Sequence, residues 1–493
     1  MASPGGLIAN VVHRDFVIAH LDAVERPLSA LASPHRKEGL LAELHQRIAE
    51  VLHHDIDPIE AEIALRAVRL TQQLDEVALA GVRDAESAEH ATADRLAFIS
   101  RSPVLSLIQS ALEEAIEDQL GDRVVSLEPP TAGEPYPAAS RVLLRPDGTA
   151  PDDENMGDPF TLLDPRWEID IAKALVERLV RGGRHPFNKQ PAPPVEIRAN
   201  TRLVLFSDWA TGLERALQVT QHAREWLLEA KRDGRDAHAI HLGDVYYAGE
   251  KSEYDKRVLA PGTWSVEPGE ADAIPSWCLN GNHDMYSGGW AFFDHLLADD
   301  RFKRQRTPDG RGTSWFELVG PEWHVVGLDT SWNDHLLLHS QWGDLERPQG
   351  ERVTKIATAH DAPKVLLLSH HQLFSAYDPK GVGPTIEREL APALDSGRVR
   401  AWFWGHEHRC MTFEPHEQVQ YGRCVGHSGV PVTAHEPSAA VPAPGAWEYR
   451  GQFESHGAAW ARFGFVVLDF DGPVIHVSYV DEEGNVDLTE DLS

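Results

Sequence analysis

Residues 202–212, RLVLFSDWATG, decide the reading of this chain: an apolar run suited to a buried strand breaks abruptly at Asp208 into a turn of small residues. The same switch recurs downstream in HLGDVYYAG (241–249), LNGNHD (279–284), LLLSHHQ (366–372) and FWGHEH (403–408). Further strand-like runs such as WHVVGLD alternate with helical stretches such as LERALQVTQHAREWLLEA (213–230). That alternation predicts an α/β domain whose largely parallel strands are buried on both faces. In such sheets functional sites form at the carboxyl ends of strands, which is where each polar motif falls. The tail, FGFVVLDFDGPVIHVSYVDEEG (463–484), reads as two strands joined by a turn at Asp471-Gly472 and is expected to complete a second sheet.

The motifs bring together carboxylates, an amide, imidazoles and a phenol. Such donors suit Fe, Mn or Zn better than Ca, which prefers an all-oxygen shell. Composition narrows the partners. The formal net charge of -31 argues against long nucleic acid, whose affinity rests on phosphate neutralisation by basic surfaces. A small phosphorylated substrate remains compatible, because a local pair of cations can overcome the global field. The cysteines, Cys278, Cys410 and Cys424, form neither a metal-ligand spacing nor a disulfide framework, which fits a reducing compartment. MASPGGLIANVVHRDF lacks a basic region followed by an apolar core, and no run approaches the ~20 apolar residues of a membrane span. The expectation is a cytoplasmic protein that does not engage membranes.

Residues 1–195 read as a mainly helical N-terminal domain with Pro-rich connections, and residues 196–493 as the α/β domain. Leu41, Leu44, Ile48 and Val51 recur at helical spacing, as do Leu105, Ile108, Leu112 and Ile116 after a Ser102-Pro103 start. A third helix is expected after Asp164-Pro165, with Ile169, Leu175, Val176 and Leu179 on its apolar face. The stretches EPPTAGEPYP, RPDGTAPDDENMGDP and HPFNKQPAPP read as connections. The helical part is expected to pack on or regulate the α/β domain, or to mediate homo-oligomer formation.

Taken in order, the five motifs resemble those of the calcineurin-like metallophosphoesterase superfamily, and within it the branch of purple acid phosphatases, over roughly residues 200 to 485. The resemblance implies a four-layer αββα sandwich of two mixed sheets flanked by helices. It implies a phosphoesterase with two metal ions, one held by Asp208, Asp244, Tyr247 and His408. The other would be held by Asn282, His370 and His406, with Asp244 shared. The chemistry suits these residue types: a carboxylate can hold two ions ~3.5–4 Å apart, and the pair acidifies a bound water into a hydroxide that attacks phosphorus in line. His283 is the position of the family's catalytic histidine, suited to contact phosphoryl oxygens or protonate a leaving group. Asp284 is expected to orient that ring.

Tyr247 stands at the end of the Gly-Asp-x-x-Tyr pattern of purple acid phosphatases, and a phenolate donor favours Fe(III) beside a divalent Fe, Mn or Zn. Tyr246 is its rival, expected to point to another face because of its one-residue offset. Two departures from the pattern concern Ala210, where that branch has glycine, and GNHD, where it has GNHE. GLDTSW around Asp329 and Gln341-Trp342 echo the same branch. His371 reads as a group beside the metals or facing substrate rather than as a ligand. His427 either faces the site or is a loop histidine satisfied by backbone. The implied substrates are small phosphomonoesters or phosphodiesters, nucleotides among them. The rival reading is a catalytically silent metal-binding scaffold or partner-gated regulator. A scaffold would carry degenerate ligands, whereas every ligand position is filled here and His283 is present.

Overall fold

The computed structural model describes residue 110 and residues 184–493, apart from 247, 335–342, 376–383, 417, 431–444, 450–451 and 456–457. The expected N-terminal helices lie outside the described residues, save Ser110, which is helical. Strands run in the order β1 (Val195–Glu196), β2 (Arg202–Phe206), β3 (Ala237–His241), β4 (Ser276–Cys278), β5 (Phe316–Val319), β6 (Trp323–Leu328), β7 (Lys364–Ser369) and β8 (Val399–Trp404). They continue as β9 (Cys410–Phe413), β10 (Tyr421–Val425), β11 (Gly445–Glu448), β12 (Gln452–Ser455), β13 (Ala458–Ala461), β14 (Gly464–Asp471), β15 (Val474–Asp481) and β16 (Val486–Leu492). Among the described residues the α-helices are α1 (Glu214–Arg232), α2 (Lys251–Tyr254), α3 (Asn282–Tyr286), α4 (Arg347–Ala357) and α5 (Pro384–Asp395).

Two mixed sheets result. One has the order β16-β15-β14-β2-β3-β4, the other β1-β5-β6-β7-β8-β10-β9-β11, and β12 and β13 pair separately. Strands β2, β3 and β4 are parallel, as are β6, β7 and β8, in keeping with their continuous apolar sequences. The tail behaves differently from expectation. Its strands β14 and β15 do not build a second sheet; β14 pairs antiparallel with β2 and so completes the sheet that carries Asp208. Such long-range pairing is not encoded in local patterning.

Strand alternation sorts the core into layers. Leu203, Leu205, Ile240 and Trp277 face Phe316, Val325, Leu366, Leu368 and Phe403 between the sheets. Val204 and Phe206 turn outward onto α1, which meets them with Ala216, Val219, Ala223 and Leu227 at helical spacing. On the other side, Val326, Leu367 and Trp402 pack against Val353 and Ile356 of α4 and Ile386 and Leu390 of α5. The sequence of layers is therefore helix, sheet, sheet, helix.

The body starts before residue 196. HPFNKQPAPP, read as a linker, packs on the sheets: the Trp315 indole donates to the Asn188 carbonyl at 2.9 Å, and Ala192 is fully buried.

Candidate metal centre

The two sheets present their strand ends to one another, and the motif residues meet in the seam. Asp208 follows β2, Asp244 follows β3, and Asn282 opens α3 just beyond β4; His370 follows β7, and His406 and His408 follow β8. Among the described residues, the non-glycine residues with positive φ are Asp208 (55°), Asp244 (74°), His406 (67°), His408 (55°) and Gln418 (65°). All but the last are candidate ligands. Side chains other than glycine adopt this region at a cost, and such strain concentrates where function dictates geometry. The turns are also tightly packed: a Cβ on Gly281 would come within 2.0 Å of Asp244 Oδ1, so only glycine lets these two strand ends approach.

The first cluster joins Asp208, Asp244 and His408, all buried. Its centre is reached by a phenol. The Tyr246 hydroxyl lies 3.2 Å from each of Asp208 Oδ1, Asp244 Oδ2 and His408 Nε2, while His408 Nε2 is 3.5 Å from Asp208 Oδ1. Donors bound to one ion at about 2.0–2.2 Å, with angles between 90° and tetrahedral, stand roughly 2.9–3.5 Å apart. The four atoms thus have the spacing of a coordination shell. The expectation that Tyr246 points to another face is corrected. Tyr247 lies outside the described residues.

The second cluster is built from imidazoles and an amide. His370 Nδ1 is 3.0 Å from the Leu242 carbonyl, to which it can only donate, so Nε2 carries the lone pair. That nitrogen faces Asn282 Oδ1 at 2.9 Å, His406 Nδ1 at 3.2 Å and Asp244 Oδ1 at 3.5 Å. Asn282 Oδ1 is also 2.9 Å from His406 Nδ1, and the Asn282 amide nitrogen donates to the Tyr286 hydroxyl at 2.6 Å, which fixes the oxygen toward the imidazoles. Acceptor atoms converging on one point are what a cation satisfies.

The electrostatics agree. Asp208 and Asp244 are fully buried. Burial, reinforced by the charges of Asp208 and Asp284, pushes the Asp244 carboxyl well above the usual carboxylate range. Burial, with His371 adding to it, holds His370 well below the usual imidazole value. The two clusters gather buried carboxylates and imidazoles, and metal ions there would supply the positive charge that carboxylates removed from water require.

The other expected site residues fall as follows. The His283 backbone N–H donates to Asp244 Oδ1 at 2.9 Å, and its ring packs between Tyr246 and Tyr286 with centroids 4.5 and 4.7 Å away. Asp284 does not take the ring-orienting place expected of it. Its Oδ2 accepts from the Asp244 and Gly281 backbone N–H groups at 2.8 and 2.7 Å, and its Oδ1 accepts from the Tyr254 hydroxyl. The carboxylate therefore holds the backbone that presents Asp244. His371 is buried, joins His370 and His406 in a cluster of potential ligand atoms, and touches Thr330, Ser331 and Asp334. His427 is grouped with neither cluster; its ring lies edge-on to Tyr449, 6.2 Å between centroids, and close to Gly464. Tyr254, Tyr286 and the Leu242 carbonyl were not singled out as supports by sequence reading.

A two-sheet sandwich with metal-binding clusters at facing strand ends is the architecture of a metal-dependent phosphoesterase. Residues 201–410 match the calcineurin-like phosphoesterase family, and this metallophosphoesterase domain supports a hydrolase acting on phosphoric esters. No curated protein matches the chain. Among solved structures it is similar to GAP50, the anchor in the inner membrane complex of Plasmodium, at 12% identity and TM-score 0.41, over 60% of this chain and 89% of that one. It is also similar to a conserved "predicted phosphoesterase" of Streptococcus pneumoniae TIGR4, at 10% identity and TM-score 0.26, over 60% and 98% of the two chains. A third is PhoD, at 9% identity and TM-score 0.34, over 61% and 69%. Among the described residues, no helix is long and apolar enough to cross a membrane.

Proposed function

We propose that this metallophosphoesterase hydrolyses small phosphomonoesters or phosphodiesters, nucleotides among them, at a dinuclear centre. Asp208, Asp244, Tyr246 and His408 would hold one ion, and Asn282, His370 and His406 the other. The observation that carries the reading is the division of Asp244: Oδ2 stands 3.2 Å from Tyr246 in the first cluster, Oδ1 3.5 Å from His370 in the second. One carboxylate facing two donor sets suits a bridge between two ions. When bound, such a pair acidifies water and neutralises charge developing on the phosphoryl group.

The chain's own residues supply the rest. Leu242 fixes the His370 tautomer, Tyr286 fixes the Asn282 amide, and Asp284 fixes the Asp244 backbone. The buried seam excludes bulk water, which strengthens each electrostatic contact within it. His283, whose backbone N–H bonds Asp244, would meet the phosphoryl oxygens or protonate the departing alkoxide. A phenol in the first cluster favours Fe(III) there, and the imidazoles of the second suit divalent Fe, Mn or Zn, the pairing of the purple acid phosphatase branch.

The test compares an aryl phosphate monoester with the corresponding diester, before and after chelation and with Fe, Mn or Zn restored. Turnover abolished by chelation and restored by metal supports the reading, and the preferred ester assigns the substrate class. Two bound ions without turnover of either ester would favour the scaffold reading.

A further inference from the structure

A single short segment crosses two loops, one that follows α3 and one that lies against the imidazole cluster. The His185 N–H donates to the Gly288 carbonyl at 2.8 Å on the loop after α3, and its ring stacks on Phe293, 4.4 Å between centroids. The Trp332 indole donates to the His185 carbonyl at 2.7 Å on the other loop, residues 329–334. Beside it, the Arg184 guanidinium sits 3.6 Å over the Trp332 ring and donates to Asn333 Oδ1. A cation over an indole, with a planar fork that bonds the next residue, is a contact that arginine makes better than any other side chain.

The loop so held encloses His371. Thr330 Oγ1 and Ser331 Oγ lie 3.1 and 3.2 Å from His371 Nδ1, and Asp334 Oδ2 lies 3.1 Å from His371 Nε2. From the other side, a Cβ on Gly343 would come within 2.6 Å of the His371 ring, so the chain there lies directly on the imidazole. The next residue, Asp344, donates its N–H to the Thr330 carbonyl at 2.9 Å, and its carboxylate accepts from Asn333 Nδ2 at 2.7 Å. His371 in turn packs on His406, with ring centroids 4.5 Å apart, and directly follows His370. The near end of the loop fixes itself, since Asp329 accepts from the Ser331 and Trp332 N–H groups at 3.0 and 2.8 Å. Its far end is held in addition by the Arg184–His185 contacts to Trp332 and Asn333, beside those of Asn333 to Asp344 and Glu346.

We propose that Arg184 and His185 are positioning residues for the second metal position: they clamp Trp332 and Asn333, and through Asp334 and Ser331 hold His371 against His406. The inference rests on the dinuclear reading for its metal readout, but the clamp itself is independent of it. The clamp bears on the imidazole half of the centre through His371.

The experiment uses the full chain with Arg184→Ala, Arg184→Lys and Asp334→Asn. Hydrogen exchange is followed over residues 329–334 in chelated protein, and Mn²⁺ binding is titrated separately. Arg184→Ala should speed exchange across the loop and weaken one Mn²⁺ site about 10-fold or more, the scale of contacts that support ligands, while the other stays within about twofold. Asp334→Asn should reproduce the metal effect, and Arg184→Lys, keeping the charge without the fork, should fall between. Unchanged exchange in Arg184→Ala overturns the proposal, as does equal weakening of both sites. If the unaltered protein binds a single Mn²⁺, the dinuclear reading fails, and the exchange result still decides the clamp.

Discussion

The six-stranded sheet brings oxygen to the centre and the eight-stranded sheet brings nitrogen. Asp208, Asp244, Tyr246 and Asn282 all follow strands β2, β3 and β4, whereas His370, His371, His406 and His408 all follow β7 and β8. The oxygen side carries the buried carboxylates of Asp208 and Asp244, and the nitrogen side carries buried imidazoles, of which burial holds His370 well below the usual imidazole value. Elsewhere the eight-stranded sheet compensates its own charges. Burial would raise the Glu317 carboxyl, but hydrogen bonds from His324 and Arg352 outweigh it and bring the carboxyl down to about 2. The comparison teaches that the Asp208–Asp244–His408 cluster needs the strand ends of both sheets. Metal ions at the seam would tie the two sheets together, making their binding part of the folding energy.

The largest expected effect comes from the residue that faces both donor sets. Asp244→Asn should lower kcat/KM by roughly 10³-fold or more, since metal ions contribute several kcal/mol of transition-state charge stabilisation. Metal analysis should show both equivalents weakened. His408→Ala should instead weaken one equivalent, because its Nε2 lies in the Asp208, Asp244 and Tyr246 set. Two tightly bound ions and near-normal turnover in Asp244→Asn would break the comparison.

Next is a reversal with pH. Burial pushes Asp284 from 3.8 up to about 6, and Asp244 is raised further in the same direction. Between those values the folded, metal-free protein binds more protons than the unfolded chain, so its stability falls as pH rises. Asp284 alone contributes about 3 kcal/mol to this trend across pH 4 to 6. Bound metal requires deprotonated ligands, so the loaded protein should gain stability over the same range. Thermal unfolding with chelator and with Mn²⁺ checks this. Parallel slopes would show that the buried carboxylates are not the metal's partners. Glu317 acts in the opposite sense at lower pH, its contribution being lost as pH falls from 4.5 toward 2.

The strands and most donors were legible because each donor immediately follows an apolar run, and a buried strand ends where polarity begins. The choice between tyrosines was not. The offset argument for Tyr247 assumes that strand alternation continues past β3, but Asp244 at φ 74° turns the chain, and Ala210 pairs with Val245 beyond the turn. Alternation has no authority across a left-handed residue. The supports of His371 were illegible for a different reason: residues 184, 332 and 371 are brought together only by tertiary packing. Loading with Fe(III) separates the tyrosines. Tyr246→Phe should abolish a phenolate-to-iron absorption band and weaken iron binding roughly 10- to 100-fold, as the loss of one supporting contact does at metal sites. Retention of the band in Tyr246→Phe with loss in Tyr247→Phe would restore the assignment made from spacing.

The smallest expected effect tests whether every carboxylate on the oxygen side is part of the chemistry. Asp284 accepts the N–H groups of Gly281 and Asp244 through Oδ2, and Tyr254 through Oδ1. An asparagine can keep both backbone bonds with its oxygen and turn its amide toward the Tyr254 oxygen, which then accepts. Asp284→Asn should therefore change kcat by less than about 10-fold, within the cost of one altered hydrogen bond. Asp284→Ala leaves two buried N–H groups unsatisfied, at roughly 1–3 kcal/mol each, and should lower both stability and metal content. A carboxylate that oriented the His283 ring would behave otherwise. Removing its charge would misplace the imidazole while leaving metals bound, as in catalytic dyads where the amide variant loses orders of magnitude. Intact metal content with a collapsed kcat in Asp284→Asn would thus return Asp284 to the chemistry, whereas a near-normal kcat leaves it as the brace beneath Asp244.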